Sequence, residues 1–235
     1  MEKDEKSAHP HENHRERMRS LFLQSGLDGF SDHNVLELLL FYTIPKRDTN
    51  ITAHALIDAF GSLQGVLDAP VEDLCKVKGV GMYTATFLSL MPQLAKKYSA
   101  GKLPDTISLF DGEALQSYIR SLFIGETAEC AYLLSFGANG QKLACTKVSV
   151  GTAKQLQLDR RSLLEAAFRT NAVRAVLCHN HPDGIAVPSS EDVSATREIA
   201  NVFAGVGIQL ADHFIVAGTD CFSMANNSRF RAIFI

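Results

Sequence analysis

Apolar residues recur at helical spacing through the first hundred positions, then give way beyond residue 107 to short runs that alternate or stay apolar throughout. In the first part the spacing predicts helices over 20–24, 32–42, 50–60, 62–67, 71–76 and 82–97. The breaks between them have causes: Ser31 and Asp32 offer an N-cap, Gly61 a helix stop and Pro70 a first-turn proline. Leu36, Leu40, Leu56, Leu74 and Phe87 then fill a small helical core. In the second part a helix is expected over 112–122, and strands over 129–136 and 143–150 flank the hairpin signal Asn139-Gly140. A helix over 160–169, a buried strand over 173–178, a helix starting at Ser189 or Ser190 and a strand over 209–217 complete the pattern.

This order describes a small all-α N-terminal domain followed by an α/β (α+β) sandwich with a functional site at a strand end. Residues 1–19 are charged and nearly devoid of large apolar side chains, which reads as a disordered tail. The helical domain spans 20–98, residues 99–107 with Gly101 and Pro104 read as a linker, and 108–235 form the second domain.

Composition narrows the class. Hydrophobic residues make up 46% and charged residues 21%, as in an average soluble globular protein. No apolar run approaches the ~20 residues that span a bilayer, so a cytoplasmic protein with no membrane partner is expected. The five cysteines lack a Cys-x-x-Cys pair and read as reduced thiols. A net charge of −3 gives no global attraction for nucleic acid.

The chemistry concentrates in residues 179–192, His-Asn-His-Pro-Asp-Gly-Ile-Ala-Val-Pro-Ser-Ser-Glu-Asp. Extended chain repeats every second residue, so His179 and His181 point to one side, and Asp192 swings back over them from the first turn of the next helix. Two imidazoles and one carboxylate suit one zinc ion per chain, with a fourth tetrahedral position left open as in a catalytic site. Iron, manganese or nickel could occupy the same ligands. Cys178, one residue before His179, should face the core on the opposite side.

His-x-His, seven residues, Ser, two residues, Asp resembles the JAMM signature of the MPN/JAB metalloproteases. More narrowly, His179-Asn-His-Pro182, Gly184, Pro188-Ser189, Asp192, Thr196-Arg197 and Asp212-His213-Phe-Ile-Val resemble the RadC family (UPF0758), over about 20–223. The resemblance implies zinc on His179, His181 and Asp192, Ser189 positioning water or an oxyanion, and a peptide, isopeptide or other protein amide as substrate. His213, read from its own surroundings in the sequence, either stands behind the metal ligands with Asp212 orienting it or is a core histidine at a strand start. Lys76, Lys78, Gly79 and Gly81 resemble a helix-hairpin-helix loop. Its glycines and helix N-terminus could hold a DNA phosphate. Residues 1–102 nonetheless hold 12 Lys and Arg against 13 Asp and Glu, which limits any such contact to weak, non-specific DNA binding.

Three positions depart from the resemblance: Thr146, Ser162 beside Arg161 and Asn226 beyond Ser223 stand where the family has acidic residues, and the first bears on catalysis. The family's acidic base lies five residues before a Gly-Thr pair, and Gly151-Thr152 puts Thr146 there. Threonine is no base at neutral pH. Glu129 and Glu126, around the start of the partner strand, are the candidate substitutes, with Glu165 behind them. Two classes of function remain open: a zinc-dependent JAMM-type hydrolase, or a weakly active or inactive metal-binding protein that engages DNA or a protein partner through its helices. The sequence carries no signal for an oligomeric state.

Overall fold

The computed structural model describes residues 10–45, 47–101, 106–150, 159–182 and 184–234, and the chain divides into two units, 1–94 and 95–235. The helices are α1 (Pro10–Ser25), α2 (Asp32–Thr43), α3 (Asn50–Phe60), α4 (Leu63–Asp68), α5 (Val71–Leu74) and α6 (Met82–Gly101). Leu36, Leu40, Leu56, Val66, Leu74 and Leu88 form the core of the first unit and are fully buried.

Two boundaries differ from the sequence reading. Residues 10–19, expected to be disordered, belong to α1; residues 1–9 lie outside the described residues. The cause is a long-range cap. The Arg15 guanidinium donates to the carbonyls of Phe41 (3.3 Å) and Ile44 (2.7 Å), which the end of α2 leaves without helical partners, and to that of Arg47 (2.6 Å) in the segment beyond. Met18 is buried, and His14 Nε2 meets the buried Glu37 carboxylate at 3.1 Å. The second difference is at the linker. Helix α6 runs through Gly101, because one glycine costs a helix only about 1 kcal/mol. Residues 102–105 lie outside the described residues, while Ile107 is buried and its carbonyl accepts from the Lys142 N–H at 2.9 Å. Ordered packing of the second unit therefore begins before residue 108.

The second unit holds α7 (Gly112–Leu122), β1 (Cys130–Phe136), β2 (Lys142–Val150), α8 (Arg160–Phe168), β3 (Arg174–Asn180), α9 (Ser190–Ala204), β4 (Gln209–Ala217) and β5 (Asp220–Ser223). The strands form one sheet in the order β2-β1-β3-β4-β5, antiparallel except for the β3–β4 pair. Strand β5, only four residues long, was not apparent from the hydrophobic pattern.

Alternation along the strands divides two apolar layers, giving the expected α+β sandwich. Leu133, Leu177 and Ile215 pack with Leu163 of α8 and with Ile199 and Phe203 of α9. Leu134, Val176, Cys178 and Phe214 pack with Leu115 and Ile119 of α7 on the opposite face. Leu177 precedes His179 by two residues and shares its face, so the first layer seats the strand that carries the site. Leu177→Ala would cost about 2–5 kcal/mol and loosen that strand.

Candidate metal centre

Strand β3 ends at the site. Ala131 of β1 pairs with His179 on one side, and Ile215 of β4 pairs with it on the other. The N–H of His181 donates to the Val216 carbonyl at 2.8 Å, which carries the parallel ladder one step beyond the strand. Both histidines are thus fixed by backbone pairing. The turn that follows passes close to His181: a Cβ at Gly184 would lie 3.1 Å from the His181 Cβ. Glycine lets the chain turn there without displacing the ring.

Ser189 is the N-cap of α9. Its hydroxyl accepts from the Asp192 N–H at 3.1 Å and donates to Asp192 Oδ2 at 2.8 Å, while its own N–H donates to the same carboxylate oxygen at 2.8 Å. This capping box aims Asp192 back at the strand end. The resemblance implies a role for Ser189 in holding water or an oxyanion; in the structure its hydroxyl is bonded to the Asp192 carboxylate.

The three side chains converge. His179 Nε2 lies 2.9 Å from His181 Nε2 and 3.2 Å from Asp192 Oδ1, and His181 Nε2 lies 3.5 Å from Asp192 Oδ2. Tetrahedral zinc with bonds of about 2.0–2.1 Å needs ligand separations of about 3.3–3.4 Å, so these edges suit one such ion. The two ring nitrogens and the carboxylate oxygens converge on one point where a cation would bind, and His179 is only 1% exposed. Among the described residues this is the one cluster of three metal-ligating side chains. The donor set fits a divalent transition metal.

The other ring atoms are occupied. His181 Nδ1 lies 3.0 Å from the Ile185 carbonyl, which can only accept, so Nδ1 carries the proton and Nε2 is left free. His179 Nδ1 lies 2.8 Å from His213 Nε2, and His213 Nδ1 lies 2.6 Å from Thr196 Oγ1. Burial pushes the Asp192 carboxyl up, but the two imidazoles beside it outweigh this and hold the group well below the usual carboxylate range. The bond to Asp192 raises His181 against its own burial. Burial drives His213 far below the ordinary histidine range and keeps it neutral.

His213 stands behind His179 as anticipated, but Asp212 does not orient its ring. The Asp212 carboxylate instead accepts from the backbone N–H groups of His213 (2.7 Å) and Ala225 (2.8 Å) and from the Ser223 hydroxyl (2.5 Å). It fixes the backbone where β4 meets the segment after β5. Burial raises Asp212 to about 6 in spite of these donors. The ring's partner is Thr196, which the sequence reading quoted only as part of a motif. Its contact lies 17 positions away and depends on how α9 packs on β4.

The candidate bases separate. Glu126 sits in a clamp: Lys96 and Lys147 each donate to it at 2.8 Å and the Tyr132 hydroxyl at 3.1 Å. Burial pushes its carboxyl up, yet the two ammonium groups outweigh this and bring it down to about 2. A carboxylate so stabilised is a poor proton acceptor at neutral pH. Glu129 lies just before β1, two residues from Ala131, the partner of His179. Its charge contributes to raising His181. Thr146 pairs with Leu133, which in turn pairs with Leu177, one side-chain row deeper than His179. With Glu165 it lines a cavity of about 360 Å³ beside α8 that contains no metal-ligating histidine. Glu165 itself accepts from Arg161 Nε at 2.9 Å. Cys178 is buried on the opposite face, its Sγ 3.6 Å from the Tyr132 carbonyl.

Lys76, Lys78, Gly79 and Gly81 lie in the first unit, in the turn between α5 and α6. Lys76 is ion-paired with Asp73 at 2.6 Å. Gly79 has φ +96° and faces Thr52, where a Cβ would come within 3.0 Å of Oγ1. The glycine thus has a structural reason independent of any phosphate.

Comparison with known proteins agrees with this geometry. A family model described as the RadC-like JAB domain matches residues 110–229, the segment that carries the sheet and all three converging ligands. A UPF0758 protein of Fusobacterium nucleatum is 31% identical over 217 residues, covering 89% of this chain and 94% of the relative. A UPF0758 protein of Ruegeria pomeroyi is 30% identical over 203 residues, covering 86% and 91%. A third, from Burkholderia thailandensis, is 30% identical over 211 residues, covering 90% and 80%. By this match and these relatives, the chain belongs to the RadC-like JAB domain family.

Proposed function

We propose that the chain binds one zinc ion on His179, His181 and Asp192 and acts as a JAMM-type hydrolase on a peptide or isopeptide bond, with Glu129 replacing the base missing at Thr146. The observation that carries this reading is the convergence of two Nε2 atoms and one carboxylate at separations of 2.9–3.5 Å. A zinc ion held there supplies Lewis-acid chemistry, polarising a carbonyl and making water nucleophilic at neutral pH. His179 and His181 present Nε2, and Ser189 holds the Asp192 carboxylate toward them. In this reading Glu129, whose charge acts on His181, takes a proton from the attacking water and returns it to the leaving amine.

A second reading is favoured by Thr146 itself: a metal-binding protein with little or no hydrolysis, which engages DNA or a protein through its helical unit. The two readings part in one experiment. Zinc-loaded protein is incubated with fluorogenic peptide and isopeptide substrates, as wild type and as Glu129→Gln. Under the hydrolase reading Glu129→Gln lowers turnover by ~10² to 10⁴ with zinc content unchanged. Zinc-loaded wild type that cleaves no amide would leave the binding reading, whereas equal cleavage by the variant would keep the hydrolase and discard Glu129 as its base.

A further inference from the structure

Building on the metal reading above, we infer that Thr196 and His213 are positioning residues that lock His179 in the single tautomer able to present Nε2 to a metal. The chain of contacts starts at one ligand and ends at another. Thr196 Oγ1 lies 2.5 Å from the Asp192 backbone carbonyl. Two oxygens that close share a proton, and the carbonyl has none to give, so the Thr196 hydroxyl donates. Its other neighbour, Met224 Sδ at 3.8 Å, is too weak an acceptor to compete.

A hydroxyl has only one proton. The 2.6 Å contact between Thr196 Oγ1 and His213 Nδ1 therefore uses a proton from the ring, and His213 is the Nδ1–H tautomer. Its Nε2 must then accept. Across 2.8 Å stands His179 Nδ1, which donates, so the lone pair of His179 is left on Nε2, the atom facing His181 and Asp192. Every link has one direction, set by a backbone carbonyl that cannot reverse.

Thr196 is 0% exposed and His179 and His213 are each 1% exposed, so no water can stand in for a lost partner. With the opposite polarity, His179 would carry its proton on Nε2, aimed at His181 Nε2 and blocking the ligand position. The relay also couples three elements: α9 supplies Asp192 and Thr196, β4 supplies His213, and β3 supplies His179. Sheet pairing and helix capping place the ligands, and the relay sets which atom of His179 is free.

The experiment combines affinity with a spectroscopic signature. Zinc affinity is measured by competition with a chromophoric chelator for wild type, Thr196→Val and Thr196→Ser. Histidine tautomers are read from long-range ¹H–¹⁵N imidazole correlations in the metal-free proteins. Wild type should show both His179 and His213 as Nδ1–H tautomers. Thr196→Val, equal in shape but without the hydroxyl, should mix the tautomers and weaken zinc binding about 10- to 100-fold, as loss of ligand-orienting partners does elsewhere. Thr196→Ser should restore both readouts. Thr196→Val with unchanged tautomers and zinc affinity within twofold of wild type would overturn the relay alone. Should that variant fail to fold, the wild-type spectrum still decides, because an Nε2–H signal for His179 contradicts the relay. Wild type that takes up no zinc would overturn the relay together with the metal reading.

Discussion

Around the strand end where the ligands meet, every ring atom that does not face the centre is committed to a partner. The carboxylates that might have served as base are dispersed instead. His181 Nδ1 is held by Ile185, His179 Nδ1 by His213, and Asp192 by the cap of α9. Among the candidate bases, Glu126 is neutralised by Lys96 and Lys147, Glu165 faces Arg161, and the aligned position holds Thr146. Glu129, just before β1, carries a charge that reaches His181. In the proposed reading metal binding and proton transfer are therefore separable: the first rests on contacts that close on themselves, the second on one side chain near the sheet margin.

The largest expected effect falls on the ligand side. Replacing His179, His181 or Asp192 by Ala should reduce zinc content from about one per chain to near zero, measured by plasma mass spectrometry on purified protein. Next comes the base side. Thr146→Glu introduced into Glu129→Gln should recover a measurable part of the lost amide hydrolysis, because the new carboxylate faces the same side of the sheet as His179. No recovery, with zinc retained, would mean that the row through Leu133 is too deep to reach the reacting atoms.

The smallest effect is on stability. Glu126→Gln should lower the melting temperature by about 2–4 °C near neutral pH, since it trades charge-assisted bonds for weaker ones, at about 1 kcal/mol for this partly exposed cluster. The sign with pH follows from the depressed carboxyl. Its contribution is complete above the ordinary glutamate value of 4.5 and is lost as pH falls through about 2. The gap between wild type and variant should therefore stay constant above about pH 5 and close toward pH 2. A gap that widened with acid would contradict the clamp. Hydrolysis by Glu126→Gln should match wild type, in contrast to Glu129→Gln.

The cluster was legible because strand and helix periodicities alone put His179, His181 and Asp192 together: all three lie within 14 residues, and no distant contact is needed. The two apolar layers were legible for the same reason. What the pattern could not show was set by contacts far apart in sequence. Helix α1 carries few apolar residues and is secured by one arginine reaching carbonyls 26–32 positions away. Glu126 stands beside Lys96, 30 positions earlier, and nothing local marks it as occupied. The relay from Thr196 to His179 exists only because β4 lies parallel to β3, which puts His213 opposite Leu177, next to the ligand strand. Asp212, adjacent to His213 in sequence, was the natural partner to expect. Its backbone bonds show that a neighbour along a strand points to the other side of the sheet.

The most direct test of the ligand assignment is zinc K-edge X-ray absorption on the protein purified with its metal. Two imidazole nitrogens and carboxylate oxygen at about 2.0–2.1 Å, with no sulfur shell, are the expected first coordination sphere. A sulfur contribution at about 2.3 Å would mean that Cys178 or another thiol binds the metal, and would contradict the placement of the centre on His179, His181 and Asp192.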